Sequence, residues 1–326
     1  MFMMRFDMRA PGFGAPACDL YRCAIEMVEW ADDKGCAFVA VSEHHASPDG
    51  YLPSPLVLAS AMAARTRHVH FVVAATLLPL HDPVRLAEDM VVLDHVSGGR
   101  VSYVIGLGYR PEEYAMFGVP MDARAAVMER KLAALLEALR GEPFEYDGRR
   151  VHVTPAPATP GGPRVAYGGG SPAAARRAAR FGLDFFAQTD GDDLERAYRE
   201  EAARCGREPG TCMLPDPREP VIVFVADDVD AAWDELGPHL LHDAITYAAW
   251  NEGDTRIASI SRGTTVEELR AENGAHRVMS VADAVAHVRR TGLLPLHPLC
   301  GGLPPEVAWP YLRRVVTDVL PAVAAG

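Results

Sequence analysis

The sequence contains no run of about 18 apolar residues, the length a helix needs to cross a bilayer. Charged residues, Asp7 among them, interrupt the first twenty positions, so no secretory leader is expected. Positive charge is in deficit: 32 basic residues face 44 acidic ones, a formal net charge of -12. That balance argues against nucleic acid or an anionic membrane as a main partner. The six cysteines, at 18, 23, 36, 205, 212 and 300, include no C-x-x-C pair. They give no metal framework and fit reduced thiols in a cytoplasmic protein. No G-x-G-x-x-G follows the first predicted strand, so no NAD-binding unit is built in. Beyond a strand–helix alternation there is neither repeat nor linker, and residues 1–326 read as one domain.

What is present is ample core material, with apolar residues at 49% of the chain. Strands are predicted at 3–8, 38–42, 68–78, 100–105, 164–167, 184–188, 221–226 and 293–297. The third is almost continuously apolar, as a parallel strand covered on both faces must be. Helices are predicted between them. In the first, Leu20, Cys23, Met27 and Trp30 track one face at helical spacing. The second spans 54–66. The third opens at Pro83, buries Leu86, Met90 and Leu93, and stops at Gly98-Gly99. Two alternating runs around Asp147-Gly148 signal a hairpin that leaves the alternation at 144–153. Residues 251–277 are polar and weakly periodic, and read as an insertion or lid before strand eight. Eight strand–helix units predict a (β/α)8 TIM barrel, an α/β fold whose chemistry sits at the strand carboxyl ends.

Polar groups and glycines gather at those ends. Ser42-Glu43-His44-His45 closes strand two, where a neutral imidazole near pH 7 can take or give a proton. An isolated His-His pair more often caps a strand end by hydrogen bonding. Metal binding is not expected here, because adjacent strand residues point to opposite faces and no third ligand is indicated. Ala74-Ala75 lies in strand three, and tight packing alone would explain two small residues there. Gly106-Leu107-Gly108-Tyr109 follows strand four, where glycines let backbone approach a flat ligand closely. Gly168-Gly169-Gly170-Ser171-Pro172 joins strand five to its helix, with Ser171 as N-cap and Pro172 at N1. Free N–H groups and the positive dipole end of that helix suit a phosphate, although a plain flexible turn has the same look. Arg124 is the better candidate for a supporting cation and Arg110 the weaker. Met8, His45, Tyr51, Gln188 and His297, with Phe13, Tyr109 and Phe224, are read as lining an apolar or aromatic substrate pocket. A buried, hydrogen-bonded histidine is an equally good reading of His297.

In order and spacing these blocks resemble the bacterial luciferase-like family of flavin-dependent monooxygenases. The resemblance covers nearly the whole chain and is strongest at 38–118, 164–172 and 295–305. It implies that His44 is the catalytic histidine and that Ala74-Ala75 form a non-proline cis peptide beneath a flavin ring. It also implies that Gly106 to Tyr109 contact that ring and that Gly168 to Ser171, with Arg124, hold its phosphate. Reduced FMN would come from a separate reductase, dioxygen would be activated, and one oxygen atom would pass to a small organic substrate. Gly106 stands where the light-emitting luciferase has a reactive thiol, so light emission is not implied. Two other readings stay open: an F420-dependent oxidoreductase, and a non-catalytic luciferase-like subunit of a heterodimer. Glu43-His44-His45 leans towards flavin, because F420 users more often show an Asp-His pair. Family members pair through helices two and three, so a homodimer is expected.

Overall fold

A computed structural model describes residues 1–251 and 256–325. These fall into two compact units: Met1–Ala40 with Ser47–Leu52 and Pro215–Gly326, and Val41–Ala46 with Pro53–Leu214.

The chain begins in the first unit with strand β1 (Phe2–Phe6), helix α1 (Ala17–Ala31) and strand β2 (Cys36–Val41). In α1 Leu20, Cys23 and Met27 are buried as their spacing predicts, while Trp30 is half-buried, edge-on to Trp309.

The second unit follows, with α2 (Pro55–Ala63), β3 (His70–Leu77), α3 (Pro83–Ser97), β4 (Val101–Gly106), a short α4 (Pro111–Met116) and α5 (Arg124–Ala138). The hairpin comes next as β5 (Phe144–Tyr146) and β6 (Arg149–Val151), then β7 (Arg164–Gly169), α6 (Pro172–Phe181), β8 (Asp184–Ala187), α7 (Asp192–Arg204) and β9 (Cys212–Met213). Within this unit the strands run parallel in the order β3-β4-β7-β8-β9, apart from the antiparallel hairpin. Phe71 and Val73 on β3 are completely buried, each such side chain contributing about 1.5–3 kcal/mol. Asp82 caps α3 by accepting from the Val84 and Arg85 N–H groups, and Gly98 ends it in the left-handed conformation. Arg100 donates to the Ala63, Thr66 and Val69 carbonyls, closing the carboxyl end of α2 with a cation where the dipole favours one. Asp147 and Gly148 both have positive φ, as a two-residue hairpin turn requires.

The chain then returns to the first unit: β10 (Ile222–Val225), α8 (Val229–Trp250), α9 (Val266–Glu272), β11 (His276–Met279), α10 (Val281–Thr291), β12 (Leu294–Leu296), α11 (Pro305–Arg314) and α12 (Leu320–Ala324). Its strands lie in the order β11-β10-β12-β1-β2. A π-helical segment, Val315–Val319, links α11 to α12.

Two corrections to the predicted elements follow. Strands β9 and β11 are not among the eight predicted, and both pair in parallel with a neighbour in their own unit. The polar stretch 251–277, read as an insertion or lid, contains packed structure in its described part. It contains α9, whose Leu269 is fully buried, and the first residues of β11, with His276 and Ser261 buried. Polarity misled the prediction because the buried polar groups bond to one another: Ser261 Oγ lies 2.9 Å from His276 Nδ1. Residues 252–255, also within that stretch, lie outside the described residues.

Candidate active site

Strand β2 delivers Glu43, His44 and His45 to its carboxyl end, and all three are buried. Alternation along an extended chain sends their side chains different ways. Glu43 turns to the loop after β3. Its Oε1 accepts from His45 Nε2 at 2.8 Å and His81 Nε2 at 2.7 Å, and its Oε2 accepts from the Leu77 N–H at 3.0 Å. Burial works against ionisation here, but these donors outweigh it and hold the Glu43 carboxyl down at about 2. Lys131, reaching in from α5, donates to the Pro79 and His81 carbonyls and fixes the same loop.

His44 turns to α4. Its Nδ1 lies 2.8 Å from Glu113 Oε1, and its ring meets Tyr109 edge-on at 5.8 Å. Glu113 is fully buried, and the same Oε1 accepts the His45 backbone N–H at 2.9 Å, with Arg110 Nη1 at 3.4 Å. Because the other donors converge on that oxygen, we assign the His44 proton to Nδ1, which leaves Nε2 as the basic nitrogen. Arg110 also donates to the His45 carbonyl at 2.7 Å, so it braces this turn rather than reaching towards a phosphate. The His45 ring packs against Phe117 with centroids 4.6 Å apart.

The glycines sit where backbone crowds. A Cβ at Gly106 would come 2.7 Å from Ala75 Cβ, across from the Ala74–Ala75 peptide, which is cis. Gly108 has φ +77 and lies beside Leu77 and Tyr114, whose hydroxyl donates to the Leu107 carbonyl. Gly168 and Gly169 belong to β7 rather than to the turn. A Cβ there would meet Val104 at 2.8 Å and Ala174 at 2.6 Å respectively. Ser171 caps α6 by accepting from the Ala174 N–H, with Pro172 at the first position. Gln188 is half-buried and its N–H donates to the Gly169 carbonyl. Arg124 is the first residue of α5 and donates to the Met121 carbonyl at 2.7 Å. Small residues around Gly106 and a capped helix start after β7 fit a flat ring carrying a phosphate.

In the first unit, Met8 (φ +62), Tyr51 and His297 are buried. Two further residues read as pocket-lining make these contacts. Phe13 is 56% exposed, tilted against His239 and edge-on to His242, and Phe224 meets Tyr311 of α11 edge-on.

Glu113, His81 and Lys131 had no assigned role in the sequence. Glu113 stands next to Glu112, which is exposed, and no local pattern tells the two apart. The one usable signal was Tyr114, whose burial fixes the rotation of a helix only six residues long.

A sequence profile described as luciferase-like monooxygenase matches residues 4–292. The 4-hydroxyprotoasukamycin monooxygenase of Streptomyces nodosus subsp. asukaensis is 31% identical over 240 residues, covering 68% of this chain and 63% of that protein. Limonene 1,2-monooxygenase of Rhodococcus erythropolis is 30% identical, covering 45% of this chain and 42% of its own. The chain thus spans less than two thirds of the length of these curated relatives. Among solved structures, monooxygenase RslO1 from Streptomyces bottropensis superposes with a TM-score of 0.74 at 21% identity, over 99% of both chains. The oxygenating constituent of 3,6-diketocamphane monooxygenase of Pseudomonas putida, solved with FMN, gives 0.69 at 20%, again over 99% of both. An F420-dependent secondary alcohol dehydrogenase, solved with an F420-acetone adduct, gives 0.64 at 14%, over 99% of both. The fold is the TIM barrel of these proteins.

Proposed function

Because the chain belongs to the luciferase-like monooxygenase family, we propose that it is a flavin-dependent monooxygenase with His44 as its proton-transfer group. The observation that carries this reading is the His44 Nδ1–Glu113 Oε1 bond of 2.8 Å. It fixes the ring and leaves Nε2 to accept a proton, as a general base requires. Reduced FMN, delivered by a separate reductase, supplies the electrons that let dioxygen transfer one atom to a small apolar or aromatic substrate. Gly106, Leu107, Gly108 and Tyr109 with Ala74 and Ala75 flank its ring. The phosphate takes the helix start at Gly170 and Ser171, with Arg124 as its countercharge. Glu43 acts indirectly, by holding His45 and the loop around Leu77 and His81 in place. Burial of His44 and Glu113 limits bulk water at the proton-transfer nitrogen.

His44→Ala should lower turnover by roughly 10²–10⁴-fold while reduced FMN binds within a few-fold of wild type. Turnover equal to wild type would remove His44 from the chemistry. The cofactor is tested separately, by anaerobic fluorescence titration with reduced FMN and with reduced F420. Tight F420 binding without FMN binding would overturn the flavin reading and leave the deazaflavin one.

A homodimer is part of the same proposal. Val57 on α2 is 72% exposed, and Val92 and Val96 on α3 are 54% and 44% exposed, beside exposed alanines at 61 and 64. Such a face suits close approach of a second copy. Light scattering at micromolar concentration that returned the single-chain mass of 35.3 kDa would exclude it.

A further inference from the structure

We propose that Asp7, Asp243, His297 and Cys300, in the first unit, bind one divalent cation of the zinc type. Ligand atoms from Asp243, His297 and Cys300 all lie within 4.8 Å of one another. Asp7 joins them from the end of β1, its Oδ1 lying 3.4 Å from His297 Nε2. All four residues are buried, with exposures of 0% for Asp7, 2% for Asp243, 0% for His297 and 0% for Cys300.

Two observations point to a ligand. His297 Nδ1 and Asp7 Oδ2 make no hydrogen bond, and His297 Nε2 has only the long 3.4 Å contact with Asp7 Oδ1. Buried polar atoms are almost always bonded, and a buried imidazole without one well-formed hydrogen bond is a rare exception. One cation between these side chains would satisfy His297 and Asp7 together. The charges then balance as well. Asp7, Asp49 and Asp243 surround Arg9, with Arg5 as the other nearby cation. With the Cys300 thiol ionised, four negative groups would face two arginines, and a dication cancels the excess.

The surroundings are those of a positioned ligand set. Asp243 is held by Arg9 Nη1 at 3.0 Å on Oδ1 and by His276 Nε2 at 2.8 Å on Oδ2, and His276 in turn is fixed by Ser261. Hydrogen bonds of this kind orient first ligands and tune the metal. One sulfur, one imidazole nitrogen and carboxylate oxygens select a borderline cation such as Zn²⁺, since calcium and magnesium prefer oxygen alone. On binding, the Cys300 sulfur would exchange its proton, released to solvent, for the metal.

Co²⁺ is the probe, added to the chelator-treated full-length chain with its thiols reduced. The expected result is one Co²⁺ per chain, with a thiolate-to-cobalt charge-transfer band in the near ultraviolet that Zn²⁺ abolishes by competition. Cys300→Ser should remove the band, and His297→Gln should weaken binding by at least ~10-fold. Replacing the exposed Cys18 and Cys205 by serine should change neither. X-ray absorption of the Zn²⁺-loaded wild type needs no variant to fold and should show one sulfur neighbour with nitrogen or oxygen ligands. Failure to bind Co²⁺ stoichiometrically, a band that survives Cys300→Ser, or a zinc shell without sulfur would each overturn the site. Any of those would leave His297 with the Asp7 contact alone.

Discussion

The two units bury charge in different ways. In the second, Glu43 and Glu113 are surrounded mainly by imidazole and backbone N–H donors, with the Arg110 guanidinium beside Glu113. In the first, Arg9 sits among Asp7, Asp49 and Asp243, its guanidinium about equally far from the Tyr51, Tyr247 and Trp250 rings, at 4.9 to 5.0 Å. Burial disfavours every one of these charges. Imidazole and backbone donors set direction, so the second unit's network specifies where one nitrogen points. An ion cluster sets charge balance instead, and it leaves several polar atoms of Asp7, Arg9 and His297 unbonded. The second unit's arrangement suits proton transfer and the first unit's suits holding a cation.

The contrast is broken most severely at Arg9. Arg9→Leu leaves three carboxylates without their main counterion, and removing one partner from a buried ion pair costs about 3–5 kcal/mol. Urea unfolding of the variant should therefore show a loss of that size. A loss under about 1 kcal/mol, the surface-pair range, would mean that the histidines or Arg5 already neutralise the cluster.

Acid sharpens the comparison from the other side. The Glu43 carboxyl is held at about 2 against an ordinary value of 4.5. Its folded value is the depressed one, so its stabilisation is complete above the ordinary value and fades as pH falls from there towards 2. The difference corresponds to roughly 3 kcal/mol. Glu43→Gln should flatten that part of the stability curve, measured by urea unfolding between pH 5 and 2.5. An unchanged slope would show that other carboxylates carry the acid sensitivity.

How much of this was legible depended on whether a signal was local. The strand–helix order, the Pro83 start and Gly98 stop of α3, the Asp147-Gly148 turn and the Ser171 cap are written in short windows, and all appear in the structure. Strand β9 has two residues, too few for periodicity to register. Strand β11 begins with the polar pair His276-Arg277, and only pairing with β10 makes it a strand. At the candidate site, Glu43-His44-His45 stood out because the three are consecutive. Glu113 lies 69 residues from His44, and no sequence spacing links them before the chain folds. The same holds for Arg9 and Asp243, 234 residues apart.

The smallest expected effect tests whether the helix start at Ser171 does more than cap a helix. Ser171 accepts the Ala174 N–H at 3.3 Å, a long bond, and the loss of an N-cap hydroxyl typically costs about 1 kcal/mol. Ser171→Ala should lower stability by that amount whatever the site binds. If the hydroxyl also meets a flavin phosphate, the same variant should weaken FMN more than riboflavin, which has the ring but no phosphate. Arg124→Ala should show a larger version of that difference, because charge-assisted contacts contribute about 1.5–3 kcal/mol. Arg124 now donates to the Met121 carbonyl, so its turn towards a phosphate requires breaking that bond, and the measured gain will fall towards the lower end. Equal losses for FMN and riboflavin in both variants would leave Ser171 as a helix cap and Arg124 as a brace for its own loop.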